Sequence, residues 1–178
     1  PSISAPVKFL ALIDNSSNTG FIALQIHSKN NFENVGKKVS WKNIKILNKD
    51  LEKNVRRNKS HVRVINNLDN FLSDDEINEG WKFLFDGKSS SGWKSARGKS
   101  FPKHGWKIND GILKVLGSDG GESKNGGDII TIDKYSDFEL ELDFKISKGA
   151  NSGIKYYVDT ERYQVSGSSI GLEFQILD

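Results

Sequence analysis

The residues best suited to chemistry stand on two stretches near the end of the chain. In Gly171-Leu172-Glu173-Phe174-Gln175-Ile176-Leu177-Asp178 the side chains alternate. A β-strand of period two turns Glu173 and Gln175 to one face, with Leu177 completing that side, and Phe174 and Ile176 to the other. An acid beside an amide on a polar strand face suits a hydroxyl-rich ligand, because the carboxylate can accept or exchange a proton while the amide both donates and accepts. The stretch GANSGIKYYV (149–158) reads as a second strand. Asn151 and Lys155 occupy one of its faces, and Ile154, Tyr156 and Val158 the other. For either strand alone, a solvated outer face is the plainer account; the two together point to a ligand-binding face.

Further candidates lie along the chain. Gln25 and His27 share one face of the alternating stretch FIALQIH (21–27), and an imidazole titrates near neutrality, as acid–base exchange requires. A surface histidine is the alternative. Glu122 and Asn125 lie in GSDGGESKNGG (117–127), a glycine-rich loop that could close over a ligand or be an ordinary polar loop. Asp178, at the end of the last strand, could bind a hydroxyl or a metal. Trp93 and Trp106 could stack on a ligand, although the alternation of Trp106 with Ile108 favours the core. Glu139, Glu141 and Asp143 recur at every second residue; they leave a divalent cation open, against the simpler account of solvated charge. The pattern names no definite cofactor: there is no P-loop, dinucleotide fingerprint, nucleophile elbow or clustered-histidine zinc motif.

Bulk composition narrows the class. With 35% apolar and 28% charged residues, 178 residues can bury one sizeable core or parts of two. No run approaches the ~20 apolar residues of a membrane span. The net charge of +3 is too small to argue for nucleic acid, and the bases Lys49, Lys53, Arg56, Arg57, Lys59 and Arg63 lack the interleaved aromatics that would stack on bases. No nucleic-acid partner is expected. Without cysteine there is no disulfide or thiolate metal site, and the redox compartment stays open. The chain starts at Pro1 rather than Met, which points to a processed or partial chain.

The elements that must position these residues are strands. FIALQIH is one, and VSWKNIKIL (39–47) another. In the latter Val39 and Trp41 share a parity that Ile44 and Ile46 break, which a bulge near Lys42-Asn43 reconciles. The two read as strands of one hairpin. From Asn48 to about Asn70 the pattern fades into a polar linker. Ser73-Asp74-Asp75-Glu76 is a capping box, so a short helix starts at Asp74 and Gly80 ends it. After it, WKFLF (81–85) is followed by a turn region, and WKI and ILKVL flank Asn109-Asp110-Gly111, whose Asp-Gly pair signals a hairpin. DIITI (128–132) is a short strand. In FELELDFKI (138–146), five apolar residues alternate with Glu139, Glu141, Asp143 and Lys145, an antiparallel strand with one dry face. Many short strands with glycine-rich turns mean a β-sandwich or jelly roll.

In order, GWKFLFDGKSSSGW (80–93), HGWKINDGILKV (104–115), GGDIIT (126–131), FELELDFKISKGANSGIKYYV (138–158) and GLEFQILD (171–178) resemble the 3-keto-disaccharide hydrolase domain family, long carried as a domain of unknown function and abundant in Bacteroidetes. GFIALQIHS (20–28) and VSWKNIKI (39–46) are similar to that family's closing strands, with Ile26 where the family usually has Asp. The closing motif therefore precedes the opening ones. This layout reads as the closing strands of a first domain (1–48), a polar linker with a short capped helix (49–79), and the N-terminal part of a second domain (80–178); a circular permutant is the alternative.

The resemblance implies an all-β, concanavalin A-like jelly-roll sandwich of antiparallel sheets with a carbohydrate cleft on its concave face. It implies a saccharide substrate, with the C3 carbonyl of a 3-keto sugar acidifying the hydrogen on C2. A base removes that hydrogen, the enolate expels the C1 substituent, and water adds back. Glu173 is the first candidate for base or acid. Lys155 and Asn151 are placed to donate to an enolate or sugar oxygen, and His27 is a second acid–base candidate. Gln175, Gln25, Asp178, Glu122, Asn125 and Trp93 complete the binding candidates. Under the tandem layout His27 belongs to the first domain and cannot share a cleft with Glu173. The alternative function is a non-catalytic, lectin-like carbohydrate-binding module. The resemblance also implies a periplasmic or secreted protein, with a lipoprotein included. The remaining partner is the rest of the domain, from the same chain or another copy.

Overall fold

In the computed structural model, residues 3–11, 19–25, 38–51, 66–117, 126–161 and 170–177 are described. In chain order the elements are β1 (Ile3–Ala11), β2 (Phe21–Leu24), β3 (Val39–Leu47), α1 (Asp74–Glu79), β4 (Lys82–Phe83), β5 (Trp93–Ser95), β6 (Trp106–Asn109), β7 (Ile112–Val115), β8 (Ile129–Thr131), β9 (Phe138–Ile146), β10 (Asn151–Asp159) and β11 (Ile170–Leu177). They build two antiparallel sheets. One runs β1-β9-β3-β7-β6, with β4 also pairing β3; the other runs β11-β10-β2-β8-β5. This is the expected jelly-roll sandwich. Its main core lies between the sheets, with Ile22 and Leu24 of β2, Ile129 of β8 and Ile154 of β10 facing Trp41, Ile44 and Ile46 of β3 and Phe138 and Leu140 of β9.

The alternation of β9 is realised as written: Phe138, Leu140, Leu142 and Ile146 are buried, while Glu139, Glu141 and Asp143 stand on the partly open face. In β3 the register against β9 shifts between Lys42 and Lys45, and Asn43 adopts φ 53. That bulge restores Val39, Trp41, Ile44 and Ile46 to a single buried face. An asparagine enters the left-handed region at little cost. Burying an isoleucine side chain stabilises by about 1.5–3 kcal/mol, so two of them decide the matter. The Asp110-Gly111 turn has φ 52 and 74 at its two central residues, joining β6 to β7 as a tight two-residue hairpin.

Two expectations are corrected. The segments 21–24 and 39–47 do not form a hairpin: β2 lies between β10 and β8, while β3 lies in the other sheet between β9 and β7. Each carries one apolar stripe that the interior of a different sheet can cover, and those cross-chain pairings displace the local one. In β10, Val158 does not share a face with Ile154. Tyr157 takes φ 53, the registers against both neighbours shift there, and Tyr157 enters the main core while Val158 turns outward with Phe21. A positive φ is costly for a bulky residue. Gly20 accommodates the bend, since a Cβ there would stand 2.3 Å from the Tyr157 Cα.

The capped helix forms as its sequence directs. Ser73 is the N-cap with both halves of the capping box made, and Gly80 closes the helix at φ 94. The helix is tied to the outer face of the six-stranded sheet. Lys45 of β3 bonds Glu76 of α1, lies 2.9 Å from Glu141 of β9, and stands 5.0 Å from the ring centre of Trp81. Burial alone would raise the Glu76 carboxyl; hydrogen bonds from Lys45, Asn66 and the Ser73 backbone outweigh it and hold the group at about 2. Burial opposes the charge on Lys45, yet its bonds to Glu76 and Glu141 raise it overall. Beside this, Asn43 and Asn70 bond each other's backbone N–H, and Asn43 Nδ2 donates to Asp143 Oδ2 at 2.6 Å.

Candidate functional site

The five-stranded sheet carries its chemistry on the face turned away from the main core. Ile22 and Leu24 point into the core, so Ala23 and Gln25 point outward. The register sets Glu173 opposite Lys155, Lys155 opposite Ala23, and Ala23 opposite Ile130. One step along, Gln175 stands opposite Gly153, whose carbonyl accepts from Gln25 N at 2.9 Å. Phe21, Ala23, Ala96, Ile130 and Val158 form a second, small apolar cluster there.

Against that cluster four polar side chains meet. Lys155, Asp128 and Gln25 are 3%, 4% and 5% exposed. Lys155 Nζ lies 3.6 Å from Asp128 Oδ2. In the orientation that satisfies both neighbours, the Gln25 amide accepts from Lys155 Nζ at 3.0 Å and donates to Glu173 Oε1 at 2.7 Å. An ammonium can only donate, so the amide oxygen must face Lys155 and its NH₂ must face Glu173. Glu173 itself is exposed. The result is a line from a buried carboxylate, through a buried ammonium and an amide, to a carboxylate at the surface. Ser152 Oγ donates to the Gln25 carbonyl at 2.6 Å and fixes the end of β2.

Of the residues expected from sequence, Gln25, Lys155 and Glu173 are brought together. Gln25 meets Glu173 because β2 is inserted beside β10. Asn151 and Gln175 form a pair of their own, with Gln175 Nε2 donating to Asn151 Oδ1 at 2.5 Å. Trp93 lies elsewhere: it is 3% exposed in the main core, and its Nε1 donates to the Leu84 carbonyl at 2.5 Å. His27, Glu122, Asn125 and Asp178 lie outside the described residues. Among the described residues no three His, Cys, Asp or Glu side chains are grouped as metal ligands, and Glu141 and Asp143 are engaged by Lys45 and Asn43.

Two members of the site were missed. Asp128 opens the stretch read as the strand DIITI and nothing in the sequence singles it out, yet parity with Ile130 puts it on the same face. Gly153 sits inside β10, and a Cβ there would stand 2.3 Å from Glu173 Oε1. A glycine within a strand is a sign of close approach, and here the approaching group is the candidate acid.

An antiparallel jelly roll with an acid-bearing polar line across one sheet is the class this fold and site define. The chain belongs to the family of 3-keto-alpha-glucoside-1,2-lyase-like domains, whose profile matches residues 80–178. It is similar to a protein of Bacteroides thetaiotaomicron named 3-keto-disaccharide hydrolase, 46% identical over 80 residues, a match that covers 44% of this chain and 27% of that protein. The chain thus spans about a quarter of that relative's length. No helix among the described residues is long and apolar enough to cross a membrane.

Proposed function

We propose that this chain contributes to a hydrolase acting on 3-keto-glycosides, cleaving the glycosidic bond by elimination and rehydration. The observation that carries the reading is the placement of Glu173: an exposed carboxylate, steered by the Gln25 amide, on the face that also presents Asn151 and Gln175. Glu173 takes the proton from C2, made acidic by the C3 carbonyl. The electron pair forms the enolate and then the C1–C2 double bond as the C1–O bond breaks. Water adds back as hydroxyl at C1 and hydrogen at C2, so the balance is hydrolysis. Asn151 and Gln175 donate to sugar oxygens and to the enolate. The proton that Glu173 has taken from C2 passes to the leaving oxygen. Lys155 is buried against Asp128 and Gln25 and acts through the amide.

The proposal keeps residues 1–48 as closing strands, 49–79 as a linker and 80–178 as the opening part of a domain of this kind, the two parts completing one sandwich with β2 and β3 among the later strands; any remainder comes from the same chain or another copy. The half-exposed Leu172 (47%) and Phe174 (43%) on the core-side face of edge strand β11 support a further covering element. A periplasmic or secreted location, with a lipid anchor included, accords with such a substrate.

The test is turnover of p-nitrophenyl 3-keto-α-glucoside by the complete protein and by Glu173→Gln. A fall of ~10²–10⁴-fold with sugar binding retained supports the hydrolase. Binding without turnover by the intact protein would replace it with a lectin-like module.

A further inference from the structure

We propose that Asp128 is a positioning residue for Glu173, acting through Lys155 and Gln25, and that Gly153 is the socket that lets Glu173 reach the amide. The inference rests on Glu173 being the reacting base.

The four groups come from four strands or their ends. Asp128 leads into β8, Lys155 is on β10, Gln25 follows β2, and Glu173 is on β11. The Lys155 and Asp128 side chains are 3% and 2% exposed, beside an apolar cluster, where a lone charge of either sign would be costly. Asp128 therefore does two things. It keeps the ammonium in place without solvent, and it draws Nζ toward β8, from where one N–H reaches Gln25 Oε1. The amide then has a single usable orientation, and its Nε2 meets Glu173 at 2.7 Å. What passes along the line is direction, not a proton: each group restricts the next. At the surface end, the Glu173 side chain lies across Gly153, with Oε1, Cδ and Cγ 2.3, 2.9 and 2.9 Å from where a Cβ would be. Any side chain at 153 pushes the carboxylate off the amide while leaving the buried ion pair alone. The line can thus be broken at either end by independent changes.

The experiment compares Asp128→Asn and Gly153→Ala in the complete protein. It follows kcat and KM on p-nitrophenyl 3-keto-α-glucoside, the side-chain amide ¹⁵N–¹H signals of Gln25, and the thermal unfolding midpoint. Each variant is expected to lower kcat on the order of 10- to 100-fold with KM little changed, as a misplacement of ~1 Å does. Asp128→Asn should also shift the Gln25 amide signals. Gly153→Ala should shift the amide proton facing Glu173 and leave the unfolding midpoint nearly untouched. The proposal is overturned if Asp128→Asn lowers only the midpoint, with kcat per folded molecule and Gln25 signals intact. Should Asp128→Asn not fold, Gly153→Ala decides: full kcat with unmoved Gln25 signals overturns it, and the expected losses uphold it. Turnover retained by Glu173→Gln would instead sink the base assignment, and the Gln25 signals in Asp128→Asn would still report on the relay.

Discussion

Two lysines divide this molecule, one on a middle strand of each sheet. Lys45 of β3 and Lys155 of β10 each face away from the main core, and each lies between partners from neighbouring elements. Their surroundings end differently. Around Lys45 both carboxylates are consumed: Glu141 is paired at 2.9 Å, and Glu76 accepts from Lys45, Asn66, the Ser73 backbone and the Ser73 hydroxyl. That network closes on itself and fastens a helix to a sheet. Around Lys155 the line runs outward to Glu173, an exposed carboxylate that accepts from the Gln25 amide. A saturated acid holds structure; an acid positioned but left open can take a proton. The same residue types thus serve fastening on one face and candidate chemistry on the other, and the number of donors each carboxylate accepts is what separates them.

Exchange of the two acids breaks the comparison most directly. Glu173→Gln should cost ~10²–10⁴-fold in turnover and little stability. Glu76→Gln should do the reverse, with activity per folded molecule kept. If both lose only stability, the contrast between the faces is false. Next in size is Lys45→Met. A buried pair broken on one side costs about 3–5 kcal/mol; the Lys45 and Glu141 side chains are 15% and 12% exposed, so about 2 kcal/mol is expected in denaturant unfolding, with unchanged kcat.

Acid titration sharpens the contrast further. The Glu76 carboxyl sits at about 2 in the folded chain against an ordinary 4.5. A depressed folded value means a stabilisation fully present above about 4.5 and lost as the pH falls toward about 2. Unfolding midpoints measured from pH 5 to 2 should therefore fall more steeply in the native protein than in Glu76→Gln. Equal slopes would show that Glu76 is not held by this network. The smallest effect belongs to Ser73→Ala, which removes the cap of α1 and should cost about 1 kcal/mol with no change in turnover.

What could be read in advance followed from local rules. The alternation of β9, the Asp110-Gly111 turn, the Ser73–Glu76 box and the bulge at Asn43 each depend on residues a few positions apart. That Glu173 and Lys155 share one outward strand face was legible for the same reason, since parity alone puts them there. Their meeting with Gln25 was not, because it depends on β2 being inserted between β10 and β8, and nothing near residue 25 names that neighbour. Asp128 hid at the polar edge of a short strand, its place beside Lys155 visible only in the folded sheet. The bend at Tyr157 left no compositional trace; an aromatic residue gives no warning of φ 53, and the glycine that permits it is Gly20, far away in the chain.

The insertion of β2 and β3 has a consequence for how the chain acquires its shape. The backbone N–H of Ile22 bonds Thr131 Oγ1 and that of Lys38 bonds Ser147 Oγ, each across 109 positions. Neither sheet has an unbroken middle until the first 47 residues and the last hundred have found each other. Folding dominated by such distant pairings falls in the millisecond-to-second range, and the early chain must wait, with apolar strands uncovered, for the later one to arrive. Separately expressed pieces 1–51 and 66–178 should then be insoluble alone and recover the sandwich only when mixed.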